Sequence, residues 1–412
     1  MRPAIVLLVA AGLVACGSDP GGSGDDDASG DGGPGDGGSY GEYPGTGDDL
    51  DTALGCAGVY NPDQLLDFHL TMAPADWQMI QNDCTFTLYA PAELRCEDGP
   101  PIRVGVRHKR SGGTSKPGLK IDINEYVDGQ ELFSLRKLSW ENGVGSSATG
   151  CGEDGTSTEA MLTEYLAWRL HVRSGEMTSR AAFVNVTMNG APLGAFLSVE
   201  VVDKPFVKRR LGDASGWIWK FSGSPGDGQQ TNEGVDDPYD DYFCFFERSG
   251  CAPPPSAQLA TELPTKLDIP QLLSVGAVNA IMANTDAILL KQNNYVFYDW
   301  AGPRAYFPWD LDTTMNGGYD VFTGTVPGGT TAFTDVLFTH WEDDYDALLT
   351  QLLAGPLSLD AITMELDRAV RVAGPALELD PFVGGSAGAA RDAILDWWTA
   401  RHADVSAQVA AH

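Results

Sequence analysis

The pattern of apolar and polar positions is clearest around Ile281 to Gly318. An apolar helical run (Leu272, Leu273, Val275, Val278, Ile281, Met282) leads into Asn284-Thr285-Asp286, and the amide pair Asn293-Asn294 follows. An alternating strand from Tyr295 to Tyr298, a Gly302-Pro303 turn and a second short strand then end in Pro308-Trp309-Asp310-Leu311-Asp312. A hairpin folds its two ends back together, so Asp286, Asn293 or Asn294, Asp310 and Asp312 can converge although they are dispersed in sequence. Converging carboxylate and amide oxygens are hard ligands, suited to magnesium or manganese carrying nucleotide phosphates. The convergence requires Asp286 and Asp310 to face one cleft.

Upstream, Leu65 to Leu70 alternates, Ala73 to Ile80 reads as a short helix, and Thr85 to Leu94 and Pro101 to Lys109 read as strands. Gly112-Gly113-Thr114-Ser115 makes a donor-rich loop before the strand from Lys116 to Ile123. Backbone N–H groups of such a loop can cradle phosphate, and the nearby lysines add point charges. Ser157 to Val172 is a helix with Met161, Leu162, Tyr165, Leu166, Trp168 and Leu170 as its buried stripe. Glu159 and Glu164 lie along it, and either can pair with a strand lysine. Ala181 to Met188 and Ala195 to Val202 flank an Asn189-Gly190 hairpin turn, and Pro205 to Arg210 is a basic helix. Trp217 to Phe221 is a strand. Leu348 to Leu353, Leu359 to Ala373 and Ala389 to Val409 are helical, with Gly374-Pro375 stopping the middle one.

Composition changes the picture at the N-terminus. Residues 1–15 carry one positive charge and a short apolar run, and Leu13-Val14-Ala15-Cys16 resembles a lipobox. That resemblance implies cleavage before Cys16, acylation of its thiol, and a lipid-anchored protein of the bacterial cell envelope, at the outer membrane or cell surface. Residues 16–55 are rich in Gly, Asp and Ser and read as a disordered tether. Six further cysteines (Cys56, Cys84, Cys96, Cys151, Cys244, Cys251) in an exported chain predict disulfides, with Cys244–Cys251 the simplest closure. No CxxC pair or histidine cluster suggests structural zinc. The formal net charge of -31 argues against a nucleic-acid partner.

Five segments together resemble the CotH kinase family. They are Val104 to Tyr126 (VGVRHKRSGGTSKPGLKIDINEY), Met161 to Gly175, Phe183 to Gly212, Asn284 to Trp300 (NTDAILLKQNNYVFYDW) and Phe307 to Gly318 (FPWDLDTTMNGG). The resemblance implies an α+β, atypical protein kinase-like fold of two lobes: a β-rich N-lobe with one helix over residues 56–202, and a mostly helical C-lobe over 203–412. It implies ATP and Mg2+ or Mn2+, with phosphate passed to Ser or Thr of a secreted or surface protein. Non-catalytic relatives would serve instead as surface-binding proteins or adhesins. By the same resemblance Asp286 is the catalytic aspartate. Asn293 or Asn294 holds one metal ion, with Asp310 and Asp312 as the metal carboxylates. Lys116 or Lys120 meets the phosphates with Glu164 as helix partner, and Glu200 to Asp203, Val202 included, forms the hinge against adenine. The chain departs from the expected pattern in four places: no His-Arg precedes Asp286, the gap from Asp286 to Asn293 is longer than the common kinase spacing, Leu-Asp follows Asp310, and His108-Lys109-Arg110 stands where relatives have a lysine-glycine pair.

Overall fold

The structure, a computed structural model, describes residues 58–109, 115–132, 134–143, 156–221, 228–239, 256–291, 293–322 and 332–412. The expected signal, the acylated Cys16, the tether, Gly112 to Thr114 and the Cys244–Cys251 pair lie outside them. Cys84 and Cys96 are both disulfide-bonded.

Seven strands close a barrel: β1 (Leu66–Thr71), β2 (Ala90–Cys96), β3 (Ile102–His108), β4 (Leu119–Asp122), β5 (Lys137–Glu141), β6 (Ala181–Met188) and β7 (Ala191–Glu200). Their order is β1-β2-β3-β4-β5-β7-β6, antiparallel throughout except where β6 runs parallel to β1 and shuts the ring. Inward residues alternate as a barrel requires: Phe68, Val104, Val106, Leu119, Ile121, Leu138, Trp140 and Phe196 form one apolar interior. The opposite parity puts Arg107, Lys120 and Ser139 in register on the outer face. The β6–β7 turn carries Asn189 and Gly190 at φ 52° and 80°, the left-handed pair that a two-residue hairpin demands. The second strand starts later than its pattern suggests, because the Asp83 carboxylate accepts the N–H groups of Thr85, Thr87 and Leu88 and holds that stretch in a turn.

The helices are α1 (Pro74–Asn82), α2 (Thr158–Arg173), α3 (Lys204–Leu211), α4 (Ser256–Glu262), α5 (Ile269–Ile281), α6 (Ile288–Lys291), α7 (Ala332–Ala354), α8 (Leu359–Glu378) and α9 (Ala387–Ala411). A second sheet, in the order β11 (Ala305–Pro308), β10 (Tyr295–Asp299), β8 (Trp217–Phe221) and β9 (Gly228–Gln229), carries the predicted hairpin. The fold is thus α+β, β-rich first and helical after. The β-rich half contains both α1 and α2. α2 is capped by Ser157, whose hydroxyl accepts the Ala160 N–H. Tyr165 of α2 stacks on Phe183 of β6 at 5.0 Å, and the helix shares one large core with the barrel's outer face and helices α5, α8 and α9.

Pro375 corrects one expectation. α8 runs through it to Glu378, so Gly374-Pro375 does not stop the helix. A proline this near the C-terminus removes only one N–H, and the adjoining glycine lets α9 approach, with Ala387 Cβ 3.5 Å from where a Gly374 side chain would begin.

The barrel and the helices are pinned together by Lys116. Its ammonium, 1% exposed, donates to Asp380 Oδ2 at 2.6 Å and to the Ala195 carbonyl at 2.5 Å. Asp380 also accepts from the N–H groups of Ala195, Phe382 and Val383. Gly194, at φ 98°, has no room for a Cβ, which would lie 2.0 Å from Asp380 Oδ2. Replacing Asp380 by Ala strands a buried ammonium and should cost about 3–5 kcal/mol. Urea denaturation checks this: the midpoint falls for Asp380→Ala, and the double variant Lys116→Met/Asp380→Asn, which removes the stranded ammonium and keeps an acceptor for the backbone N–H groups, recovers part of the loss.

Candidate functional site

A single short polar chain joins the two acidic loops. The C-terminus of α5 passes through Ala283 (φ 53°) to Asn284, whose buried Oδ1 accepts the Asp286 N–H at 3.0 Å and the Thr313 hydroxyl at 2.8 Å. Its amide donates to Asn279 Oδ1 at 2.8 Å. Thr313 lies in the single 3-10 turn Leu311–Thr313 that follows Asp310. The Met315 N–H reaches the Met282 carbonyl at 2.8 Å, and the Tyr319 hydroxyl donates to the carbonyls of Asn279 and Asn284. From α9, Arg401 caps the end of α5, donating to the carbonyls of Ala280 (2.9 Å), Ile281 (3.2 Å) and Tyr319 (2.9 Å).

Asp310 has φ 54° and Asn294 φ 50°. With Ala283 and Met315, four of the nine non-glycine residues of positive φ among the described residues surround these loops. Strained backbone persists where the surroundings over-determine it, and it gathers at functional sites. The Asn294 amide donates to the Asp310 carbonyl at 3.3 Å, and Asn294 O accepts the Trp309 N–H, so this asparagine fixes the bend that carries Asp310. Asn293 is half-buried at the start of the same bend.

Charges of both signs meet in the cleft that results. Burial pushes the Asp312 carboxyl up to about 8, and the negative charges of Asp310, Glu164 and Asp286 push the same way against Lys109. Asp312 thus lies within electrostatic range of both Asp286 and Asp310. Burial likewise lifts the Glu164 carboxyl to about 7, with Lys109 opposing and Asp310 assisting, while Trp168 donates its indole N–H to Glu164 at 3.4 Å. On the barrel side, Lys109 is in direct contact with Glu141. Burial lowers its pKa, Asp310 and Glu164 restore it, and Lys220 lowers it again. Lys120 is brought down to about 7 by burial and then by Arg107, Lys137, Lys220 and Lys109, all cations. Lys220, on β8 opposite Val296, sits over the Trp309 ring at 4.7 Å, and Lys109 approaches the same ring at 5.9 Å. Lys109 and Lys120 thus come from the barrel and Lys220 from the second sheet, with the carboxylates of Glu164, Asp286, Asp310 and Asp312 among them.

The expected residues divide accordingly. Asp286, Asp310, Asp312, Glu164 and Lys120 come together, with Asn294 supporting the bend. Lys116 is not brought to the cleft, being committed to Asp380. Nor is the Glu200 side chain, which has the barrel-interior parity of Phe196 and ends among Arg180 (3.0 Å), Arg210 (2.7 Å) and Arg209. Its N–H donates to the Arg180 carbonyl at 2.9 Å. Val202 packs into a small apolar cluster with Phe206, Ile218, Val296 and Phe307, behind the hairpin. Lys109, Lys220 and Glu141 were not singled out for the site from the sequence. Strand alternation was the available signal for Lys109: with Val104 and Val106 inside, Arg107 and Lys109 fall outside, beside Lys120.

Among the described residues no three His, Cys, Asp or Glu side chains gather tightly enough to hold a metal ion unaided. The donors do fit a metal that arrives with a nucleotide. Asp310 and Asp312 supply hard oxygens, a cation would offset both the burial and the neighbouring negative charge that raise Asp312, and phosphate oxygens and water would complete the shell.

A family model described as CotH kinase protein matches residues 152–405, more than half of the chain. The protein belongs to the CotH kinase family. Among solved structures, HipA from Shewanella oneidensis MR-1, in a toxin–antitoxin complex with HipB and operator DNA, is similar at 13% identity and a TM-score of 0.34. The similarity covers 66% of this chain and 64% of that one, slightly under two thirds of its length, and is too loose to inform the site. No curated protein matches the chain.

Glu200 yields a pH prediction. Burial alone would raise its carboxyl, but Arg210, Arg180 and Arg209 outweigh burial and hold it well below the ordinary carboxylate range. A depressed folded pKa contributes stability that is complete above the unfolded value of about 4.3 and lost as pH falls through the folded value. Urea midpoints measured from pH 6 down to pH 3 should fall more steeply in the wild type than in Glu200→Gln, and Glu200→Gln should be the less stable of the two at pH 6.

Proposed function

We propose that the protein is an exported, lipid-anchored phosphotransferase that moves the terminal phosphoryl group of ATP to a serine or threonine hydroxyl of a secreted or surface protein. The observation that carries this reading is the cleft of mixed charge, with Lys109, Lys120 and Lys220 among Asp286, Asp310, Asp312 and Glu164. Phosphoryl transfer passes through a loose transition state, so alignment and charge neutralisation matter more than covalent help from the protein. Membership of a family described as kinase supports the same chemistry. The anchor at Cys16 and the cell-envelope location rest on the lipobox resemblance alone.

In this reading Lys109 and Lys120 bind the phosphates, with Lys220 entering from the opposite sheet. Glu164 and Glu141 orient the Lys109 ammonium, Glu141 by direct contact. Asp310 and Asp312 would hold magnesium or manganese, which when bound neutralises charge building on the phosphate oxygens. Asp286 orients the acceptor hydroxyl and takes its proton. The hydroxyl oxygen bonds to the terminal phosphorus as the bond to the bridging oxygen breaks, and ADP leaves with that electron pair.

Purified protein with labelled ATP, manganese and a serine-rich acceptor should incorporate label, and Lys109→Met and Asp310→Ala should each reduce it by about 100-fold or more. Equal background in wild type and variants would refute transfer. A second reading, a nucleotide-binding surface protein without transfer, is favoured by the absence of His-Arg before Asp286 and of Phe-Gly after Asp310. Thermal unfolding separates the possibilities. Manganese with ATP should raise the midpoint well beyond manganese alone, because only a ligand of the native state stabilises it. A shift without incorporation would support the second reading, and no shift would refute both.

A further inference from the structure

The chain carries 57 acidic against 26 basic residues, yet one groove reverses that balance. It has a volume of about 580 Å³ and is lined by Arg136, Lys204, Lys208 and Arg209 against the single carboxylate Glu131. One bank is the connection into β5, where Leu132 and Leu135 bridge each other and Arg136, 46% exposed, pairs with Glu131 at 3.1 Å, a surface pair that an acidic segment can exchange. The other bank is α3. Asp203 caps that helix by accepting the Phe206 N–H at 3.1 Å, which sets Lys204 and Lys208 one turn apart on a common face. Arg209 joins the banks, donating to the Ser134 carbonyl at 3.2 Å and contacting Glu200.

We infer that this groove docks an acidic peptide segment of the acceptor protein. A chain of this net charge repels acidic partners at long range, so four cations gathered in one concavity make the local exception that such a segment needs. Pro205 and Ala214 line the groove with apolar surface between the cations, which suits the methylenes of Asp and Glu side chains. A concave site also favours a single extended chain over a flat anionic surface. The groove spans the passage from β7 into α3, and Lys137, next to Arg136, begins β5, which pairs with the β4 strand that carries Lys120. A segment seated there would run beside the barrel strands that supply the cleft's lysines. Naming the occupant as the acceptor rests on the phosphotransferase reading, whereas the binding itself does not.

The test is fluorescence anisotropy of a labelled Asp/Glu-rich peptide lacking Ser, Thr and Tyr, with the full chain and no ATP. Wild type should bind it, with affinity falling as salt rises, and Arg136→Glu/Lys208→Glu should weaken binding by at least about tenfold. Both side chains are exposed, and circular dichroism confirms folding. A control reversal, Arg371→Glu, and the cleft variant Lys109→Met should bind as wild type does. Equal weakening by the control, affinity that rises with salt, or tighter capture of phosphatidylserine vesicles than of the peptide would overturn the inference. Peptide binding without any label transfer would leave the groove standing and count against the phosphotransferase reading alone.

Discussion

Buried charges of both signs, crowded together, govern this site. Lys109 follows the end of its barrel strand with Glu141 in contact and Glu164, Asp310 and Asp312 near by, while Lys120 and Lys220 add further positive charge. Like charges held this close destabilise the empty protein, and burial raises the cost by withholding water. A ligand carrying both signs, a polyphosphate with its divalent cation, relieves both crowds at once. Neither a bare anion nor a bare cation would do so.

The rest of the fold serves to maintain that arrangement. The lysines come from sheet, where alternation fixes which side they face, whereas Glu164 comes from α2 and Asp286, Asp310 and Asp312 from the two loops that follow α5 and β11. Those loops are held instead by a connected set of polar contacts: Asn284 between Asp286 and Thr313, Tyr319 on the carbonyls of Asn279 and Asn284, and Arg401 across the end of α5. Left-handed backbone at Ala283, Asn294, Asp310 and Met315 is the accompanying strain. Farther out, Lys116 with Asp380 and Glu200 with three arginines pin the barrel to the helices at two further points.

What could be read from the sequence followed from range. The Asn189-Gly190 turn, α2 with its apolar stripe and the β10–β11 hairpin depend on residues close in the chain, and pattern alone described them. The acidic half of the cleft was legible for the same reason, since a hairpin brings Asn294 and Asp310 together by its own geometry. The basic half was not. Lys116 lies in the irregular lead-in to β4, where alternation assigns no face, and its fate is decided by Asp380, 264 positions later. Glu200 looked like a hinge residue, but the arginines that claim its carboxylate come from a strand start and a helix. Lys220 reaches the cleft only because β8 pairs with β10, a long-range choice of partner that its own strand does not encode. Pro375 shows the reverse case, a local stop signal overridden because the helix had nearly ended.

The most direct measurement is a crystal structure with manganese and a non-hydrolysable ATP analogue, located by the anomalous scattering of the metal. The account predicts manganese bound by Asp310 and Asp312, phosphate oxygens within hydrogen-bond reach of Lys109 and Lys120, and the terminal phosphorus in front of Asp286. Nucleotide seated elsewhere, or manganese bound away from Asp310 and Asp312, would contradict it.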